Sequence, residues 1–295
     1  MNAIGQRGVP PAVAIFGAGG HTGRFVVAEL LRRGIAPIAI ARDPVSLAAA
    51  NFPEHKVRRR QASVENMQSL DRALDGARAV INCAGPFLET ADAIANAALR
   101  AGIHYLDVTA EQPSARTTLE KYDGAAREAG ISVIPSVSFY GGFADLLVTA
   151  VLGDWDHADA IDVMIGLDSW HPTRGTRITG EKNTGQRMVV AEGRLVPVSS
   201  PRSEKDWDFG VDVVTTRDSN ARRVIARGRD IYAFSATLVC EVVERLLEGK
   251  FSSAGAQPPG SILNAQEVLF ALTPDHLTLE FTAACPLTPI AAQGK

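Results

Sequence analysis

Seven residues near the start of the chain have the types and the spacing to bind a phosphate group. The run Gly17-Ala18-Gly19-Gly20-His21-Thr22-Gly23 follows a short apolar stretch and precedes a helical pattern. Glycines let a backbone turn tightly and approach a pyrophosphate without a Cβ clash. The start of a helix adds unbonded N–H groups and a partial positive charge. The run therefore predicts a dinucleotide-binding loop, with contacts from Gly17, Gly19, Gly20, His21, Thr22 and Gly23.

The end of the second predicted strand indicates which dinucleotide is bound. NAD sites usually carry an acidic residue there, which holds the ribose 2′-hydroxyl, but this strand ends in Arg42. Asp43 precedes Pro44 and is expected to cap a helix. Because a guanidinium can grip a phosphate with paired charged hydrogen bonds, the pattern favours NADP(H). Arg24 is either a second phosphate contact or an exposed helix residue.

Candidate proton donors follow two later strands. Glu111 comes shortly after the strand predicted from His104 to Val108, and Tyr140 follows the strand predicted from Ile131 to Pro135. Hydride transfer needs orientation, exclusion of water and at most one proton donor, and either side chain could be that donor. The alternatives are a helix cap for Glu111 and a half-buried aromatic wall for Tyr140.

A third group of polar residues lies in a Gly- and Thr-rich segment of the second half. Its members could hold a carboxylate or a carbonyl, but a surface loop is the favoured interpretation: His171, Arg174, Lys182 and Asn183. No tyrosine is followed four residues later by lysine, so the acid of ordinary short-chain dehydrogenases is missing. There is also no GxSxG, P-loop or HExxH motif, and no metal site is expected.

The elements that must position these residues alternate between strand and helix over the first 140 residues. This alternation predicts an α/β fold: a Rossmann-type doubly wound parallel sheet with helices on both faces. Strand pairs then suggest a second, mostly antiparallel α+β domain. We predict a dinucleotide-binding domain over 12–140, a substrate domain over 141–228 and a C-terminal segment over 229–295.

Composition limits the partners. A formal net charge of −3 over 295 residues gives no reason to expect nucleic acid or an anionic membrane. The 3 cysteines are far apart, which fits a reducing compartment. The start of the chain lacks the pattern of a signal peptide. We therefore expect a cytoplasmic protein with a small-molecule substrate, and a homodimer is compatible with the sequence.

Three segments resemble the saccharopine dehydrogenase-like family: VAIFGAGGHTGRFVVAEL (13–30), INCAGPF (81–87) and AGIHYLDVTAE (101–111). The stretch from 227 to 247 is similar to the branch that includes trans-acting enoyl reductases. The resemblance implies a Rossmann domain, a mostly antiparallel second domain and a C-terminal segment that returns to the first. It also implies that Ala84, Gly85 and Pro86 lie beside the nicotinamide. The chain departs from the family in lacking an acidic residue after the third strand, where Gln61-Ala62-Ser63 stands.

Two functions remain open. The first is an NADP(H)-dependent oxidoreductase that transfers a hydride to or from a C=N, C=C or C=O bond in a cleft between two domains. The second is a non-catalytic NADP(H)-binding sensor or partner-binding protein, which the lack of an unmistakable acid or base favours. A sugar-nucleotide epimerase-like enzyme is weakened by the missing Tyr-Lys pair.

Overall fold

A computed structural model describes residues 11–167, 172–182, 187–191, 194–198 and 209–283. The first half of the chain alternates between strand and helix: β1 (Ala12–Phe16), α1 (His21–Arg32), β2 (Ala36–Ala41), α2 (Pro44–Ala49), β3 (Arg58–Gln61), α3 (Met67–Leu74), β4 (Ala79–Asn82), α4 (Phe87–Ala101), β5 (His104–Asp107), α5 (Gln112–Ala129), β6 (Ser132–Ile134) and α6 (Gly142–Leu152).

Antiparallel strands and further helices make up the second half: β7 (Ala160–Gly166), α7 (Arg174–Lys182), β8 (Arg187–Ala191), β9 (Arg194–Val198), β10 (Phe209–Arg217), β11 (Asn220–Gly228), α8 (Ile231–Leu247), β12 (Gly255–Ala256), α9 (Pro259–Ile262), α10 (Ala265–Ala271) and β13 (Leu277–Ala283).

The larger sheet has seven strands in the order β12-β6-β5-β4-β1-β2-β3, and every neighbouring pair is parallel. From β1 the chain moves to β2 on one side and later to β4 on the other. The carboxyl ends of β1 and β4 therefore border the crevice where ligands bind in open α/β sheets. The predicted Rossmann-type fold is confirmed.

The strands of this sheet are buried on both faces because their apolar residues are continuous. In β1, Val13 and Ile15 belong to one apolar core, whereas Ala14 and Phe16 belong to another. Helices α1 and α8 contribute to the first core, and α3, α4 and α5 contribute to the second. Burial on both faces is what parallel strands with helical crossovers require.

Four antiparallel strands form a second sheet in the order β13-β11-β10-β7, and β8 pairs with β9. Phenylalanine rings join this sheet to the parallel one: Phe209 of β10 lies 4.7 Å from Phe139 and 5.2 Å from Phe234 of α8, measured between ring centroids. The C-terminal region divides between the two sheets, since β12 pairs with β6 and β13 pairs with β11. The predicted second domain is confirmed, and its boundaries stay a prediction.

Two elements differ from the sequence-based expectation. The segment around Arg174 and Lys182, predicted as a surface loop, contains α7. Residues 252–260, whose Gly and Pro content also predicts a loop, contain β12 and the start of α9. Within the described ranges, no helix combines the length and the apolar character needed to cross a bilayer.

Candidate active site

The glycine loop lies at the carboxyl end of β1, on one side of the crevice. The amides of Gly17 and Ala18 both donate to the carbonyl oxygen of Ile40 in β2, over 2.9 and 3.1 Å. The amide of Gly20 donates to the carbonyl of Gly17 over 3.0 Å. These bonds fix the turn between β1 and α1 against the neighbouring strand.

The start of α1 is open to an anion. Its N-cap is Gly20, which has no side chain to accept a hydrogen bond, and the first turn contains no acidic residue. In the part of the chain that the structure describes, the amides of Gly19, His21, Thr22 and Gly23 have no acceptor. Unbonded amides at a helix start, together with the helix dipole, form an anion-binding site. The geometry fits the predicted pyrophosphate contact.

Gly23 brings α1 close to the loop. A Cβ built on Gly23 would lie 2.3 Å from the carbonyl oxygen of Gly17 and 2.8 Å from Cα of Ala18. Both neighbours are backbone atoms, so a side chain could be accommodated only by moving the helix or the loop. Gly17 itself has φ +83, a left-handed conformation that side chains disfavour.

The carboxyl end of β2 presents a guanidinium and no carboxylate. The side chain of Arg42 is exposed, and no described residue forms a hydrogen bond or an ion pair with it. The carboxylate of Asp43 accepts the amide of Val45 over 2.9 Å, which confirms its predicted role as the cap of α2. Nε of Arg24 donates to the carbonyl of Gly19 over 3.0 Å, which holds this second cation beside the loop.

The loop after β4 borders the crevice on its other side and is held at both of its ends. The buried amide of Asn82 accepts the N–H of Ala84 through Oδ1 over 3.0 Å and donates to the Thr90 hydroxyl over 3.1 Å. The Thr90 hydroxyl in turn donates to the carbonyl of Ala84 over 2.7 Å. Sequence reasoning assigned no role to Asn82 or Thr90. The signal that could have indicated Asn82 is an asparagine at the end of a strand, shortly before Gly85-Pro86.

Glu111 fixes the far end of the same loop. Its Oε1 accepts the amide of Phe87 over 2.8 Å, its Oε2 accepts the amide of Leu88 over 3.1 Å, and the residue is 1% exposed. Glu111 thus caps α4 rather than the nearer α5. Because both carboxylate oxygens already accept hydrogen bonds, this arrangement favours a structural role over the predicted proton donation. The start of α4 is closed to anions, whereas the start of α1 is open.

Tyr140 lies between β6 and α6 with 40% of its surface exposed, and its ring meets Phe139 edge to face at 5.1 Å. It is the more accessible of the two predicted proton donors. The ring of His21 lies between Phe25 and Tyr232, 5.2 and 5.0 Å from their centroids, and the residue is exposed. His104, at the opposite end of β5, accepts the amide of Ser132, as expected for a structural histidine.

The set of four polar residues predicted in the second half of the chain lies only partly within the described ranges. Lys182 pairs with Glu89 at the start of α4, and Arg174 is exposed on α7. His171 and Asn183 lie outside the described residues. Two threonines of α7 that sequence reasoning did not single out make the contacts instead: the Thr176 hydroxyl lies 3.0 Å from the Tyr232 hydroxyl, and Thr179 packs against Gly85.

Asp107 is a fully buried carboxyl group at the end of β5. Its Oδ1 accepts the amides of Thr109 and Ser136, and its Oδ2 accepts the Tyr105 hydroxyl over 2.8 Å. Burial raises the pKa of Asp107 to about 6, although the two amides and the hydroxyl act in the opposite direction. The residue therefore ties the ends of β5 and β6 together at the cost of burying a charge.

Because its pKa is raised on folding, Asp107 should contribute to stability at low pH and lose that contribution as the pH rises from about 4 to about 6. The D107N variant keeps an oxygen acceptor for both amides and carries no charge. We expect the free energy of unfolding of D107N minus that of the wild type to increase by about 2 kcal/mol between pH 4 and pH 7. Urea titrations across this range measure the difference, and a constant difference would contradict the prediction.

Fold and site together define a dinucleotide-binding protein with a second, antiparallel domain. Residues 13–134 match the model of the "Saccharopine dehydrogenase NADP binding domain". This match confirms the predicted NADP(H)-binding domain and the resemblance to the saccharopine dehydrogenase-like family. The placement in the branch that includes trans-acting enoyl reductases stays a prediction.

Curated relatives carry the same family name. The chain is 29% identical over 155 residues to the saccharopine dehydrogenase-like oxidoreductase of Mus musculus, covering 46% of this chain and 36% of the relative. It is 26% identical over 291 residues to the Homo sapiens protein of that name, covering 89% of this chain and 67% of the relative. The match to the mouse protein thus spans little more than a third of that protein's length.

Among solved structures, the saccharopine dehydrogenase (L-Glu forming) of Saccharomyces cerevisiae superimposes with a TM-score of 0.63, covering 92% of this chain and 100% of that one. The sequence identity is 9%. At this identity the likeness shows the fold alone, and it includes the pairing of a parallel sheet with an antiparallel one.

Proposed function

We propose that this chain is an NADP(H)-dependent oxidoreductase that transfers a hydride to or from a C=N, C=C or C=O bond of a small organic substrate. The observation that carries the proposal is the open start of α1 at the crevice between β1 and β4, with the Arg42 side chain, which has no partner among the described residues, at the end of the neighbouring β2. The amides would bind the pyrophosphate, and Arg42 would bind the 2′-phosphate.

The residues around the crevice fit such a ligand chemically. NADPH, when bound, supplies the hydride. The protein therefore has to bind the cofactor, orient its nicotinamide ring and exclude water from the crevice. Asn82, Thr90 and Glu111 hold the loop from Ala84 to Pro86 in one conformation, which is what orienting a ring against that loop requires. Tyr140 is the candidate that would donate a proton to the substrate.

A non-catalytic NADP(H) sensor is the second candidate. The specific observation in its favour concerns Glu111, one of the two predicted proton donors: both of its carboxylate oxygens accept amides at the start of α4. A screen of imines, keto acids and enoyl thioesters for NADPH oxidation separates the two functions. Turnover with any of them supports the oxidoreductase, and tight binding without turnover across the screen supports the sensor.

Removal of the Arg42 guanidinium tests the cofactor assignment. We expect R42A to weaken NADPH binding by about 3 kcal/mol, roughly 100-fold, because two charged hydrogen bonds to the 2′-phosphate are lost. NADH binding should change less than threefold. Calorimetric titration of both nucleotides measures the effects.

The matched control for this experiment is R58A. Arg58 opens β3, and its register partner Ile38 lies toward the amino end of β2, so the charge removed is equal but distant from the carboxyl edge. R58A should leave both affinities unchanged. Equal losses of NADPH and NADH in R42A would contradict the assignment of Arg42 to the 2′-phosphate.

We also propose that two copies associate through β7, which is the end strand of the antiparallel sheet in the described structure. Ile161, Val163 and Ile165 are 48, 40 and 38% exposed on one face of this strand. An apolar end strand is a template for pairing, and an antiparallel pair centred on Val163 would place Asp162 opposite Met164 rather than opposite a like charge. We expect the wild type to sediment as a dimer and V163K to sediment as a monomer.

A cytoplasmic location stays a prediction.

A further inference from the structure

Helix α7 crosses the crevice between the carboxyl ends of β1 and β4. On the β4 side, a Cβ built on Gly85 would lie 2.8 Å from the Thr179 hydroxyl oxygen, and Lys182 pairs with Glu89 in the first turn of α4. Gly85 belongs to the loop that the family resemblance places beside the nicotinamide. One end of α7 is therefore fixed over this loop.

On the β1 side, α7 reaches the glycine loop through Tyr232. The Tyr232 hydroxyl lies 3.0 Å from the Thr176 hydroxyl and accepts the amide of Thr173 over 3.4 Å. The ring of Tyr232 meets the ring of His21 edge to face at 5.0 Å. Tyr232 stands in the first turn of α8, whose N-cap Asp230 accepts the amides of Tyr232 and Ala233.

These contacts hold α7 by polar groups rather than by an apolar core. No residue of α7 is buried, although every other described helix of comparable or greater length has several buried residues. Net hydrogen-bond energies are small, so a helix held in this way can move away from the crevice and return at little cost. Thr173, Thr176 and Thr179 are each half-buried; the first two contact Tyr232, and the third lies against Gly85.

We propose that α7 with Thr173 forms a clasp that holds the nicotinamide half of NADP(H), and that Tyr232 and Thr176 are the positioning residues that keep it closed. The inference rests on the proposed function, because a dinucleotide whose pyrophosphate lies on the β1 loop and whose nicotinamide lies at the β4 loop must pass beneath α7. The adenine half, beside β2 and Arg42, lies outside the clasp.

The T176V variant removes one hydroxyl and keeps the size of the side chain, and Y232F does the same while retaining the ring contact with His21. We expect each variant to release NADPH threefold to tenfold faster, the ratio that one lost hydrogen bond of about 1 kcal/mol produces. At saturation, the fluorescence of bound NADPH should fall toward that of free NADPH, because the nicotinamide is less shielded from water. Binding of adenosine 2′,5′-bisphosphate should not change.

Two control variants separate positioning from structural damage. T176S retains a hydroxyl and should restore the wild-type release rate, and Y122F removes a hydroxyl bonded to Asp92 between α4 and α5, away from the crevice. Wild-type release rates and fluorescence in both T176V and Y232F would overturn the clasp alone. A wild-type chain that does not bind NADPH would overturn the clasp together with the proposed function.

Discussion

Replacement of Gly23 by alanine should abolish most of the affinity for NADPH. The new Cβ would lie 2.3 Å from the carbonyl oxygen of Gly17, so α1 must move away from the loop or the loop must open. Either movement displaces the unbonded amides of the loop from the position in which they would bind the pyrophosphate. Loss of two hydrogen bonds to a charged group costs about 3 kcal/mol or more, which lowers the affinity by about 100-fold.

The control is the same substitution at a glycine with free space. A Cβ on Gly124, in the middle of α5, would meet nothing within 4 Å. The G124A variant should bind NADPH as the wild type does and unfold at a higher temperature, because alanine favours a helix by about 1 kcal/mol over glycine. Titration calorimetry and thermal melts are run on both variants. Full NADPH affinity in folded G23A would mean that the loop does not bind the pyrophosphate.

The dinucleotide half of the site could be predicted from the sequence because it is local. The strand, the glycine loop and the helix that form it are contiguous over Ala12–Arg32. The roles assigned to Arg42 and Asp43 depend only on where β2 ends. The spacing of apolar residues predicts such elements, and the alternation of strands and helices predicts a parallel sheet. The cap formed by Asp43 follows from its neighbour Pro44.

The substrate side could not be predicted because it depends on contacts between distant residues. Glu111 reaches the amide of Phe87 across 24 residues that include all of α4 and β5, and no local pattern indicates which of two helices it caps. Thr179 approaches Gly85 from another domain. Helix α7 contains Gly175 and Gly180 and few apolar residues, so propensity and periodicity both argued for a loop. Its polar contacts with Tyr232 and Glu89, and the close approach of Thr179 to Gly85, favour the helix instead.

The largest loss of stability is expected from Arg33, which joins α1 to α8. Its Nε donates to Glu29 over 2.7 Å, and its Nη1 donates to Glu241 over 2.7 Å and also to Glu244. The side chains of Arg33, Glu29 and Glu241 are 9, 10 and 11% exposed. Removing the cation would leave three carboxylates, Glu29, Glu241 and Glu244, against the two remaining cations, Arg32 and Arg245. Breaking a buried ion pair by removing one partner typically costs 3–5 kcal/mol. We expect the R33M variant to lose about 4 kcal/mol of unfolding free energy.

Arg32 provides the matched control, because it pairs with the same Glu29 but is 61% exposed. An exposed ion pair contributes at most about 1 kcal/mol, so R32M should stay within that range of the wild type. In R33M the carboxylates that have lost Arg33 are easier to protonate, and the deficit in unfolding free energy should shrink as the pH falls from 7 to 5. Urea unfolding of both variants at the two pH values measures this. Equal, pH-independent losses in R32M and R33M would mean that apolar packing, rather than the buried charge, holds α8 and the C-terminal region against the dinucleotide-binding domain.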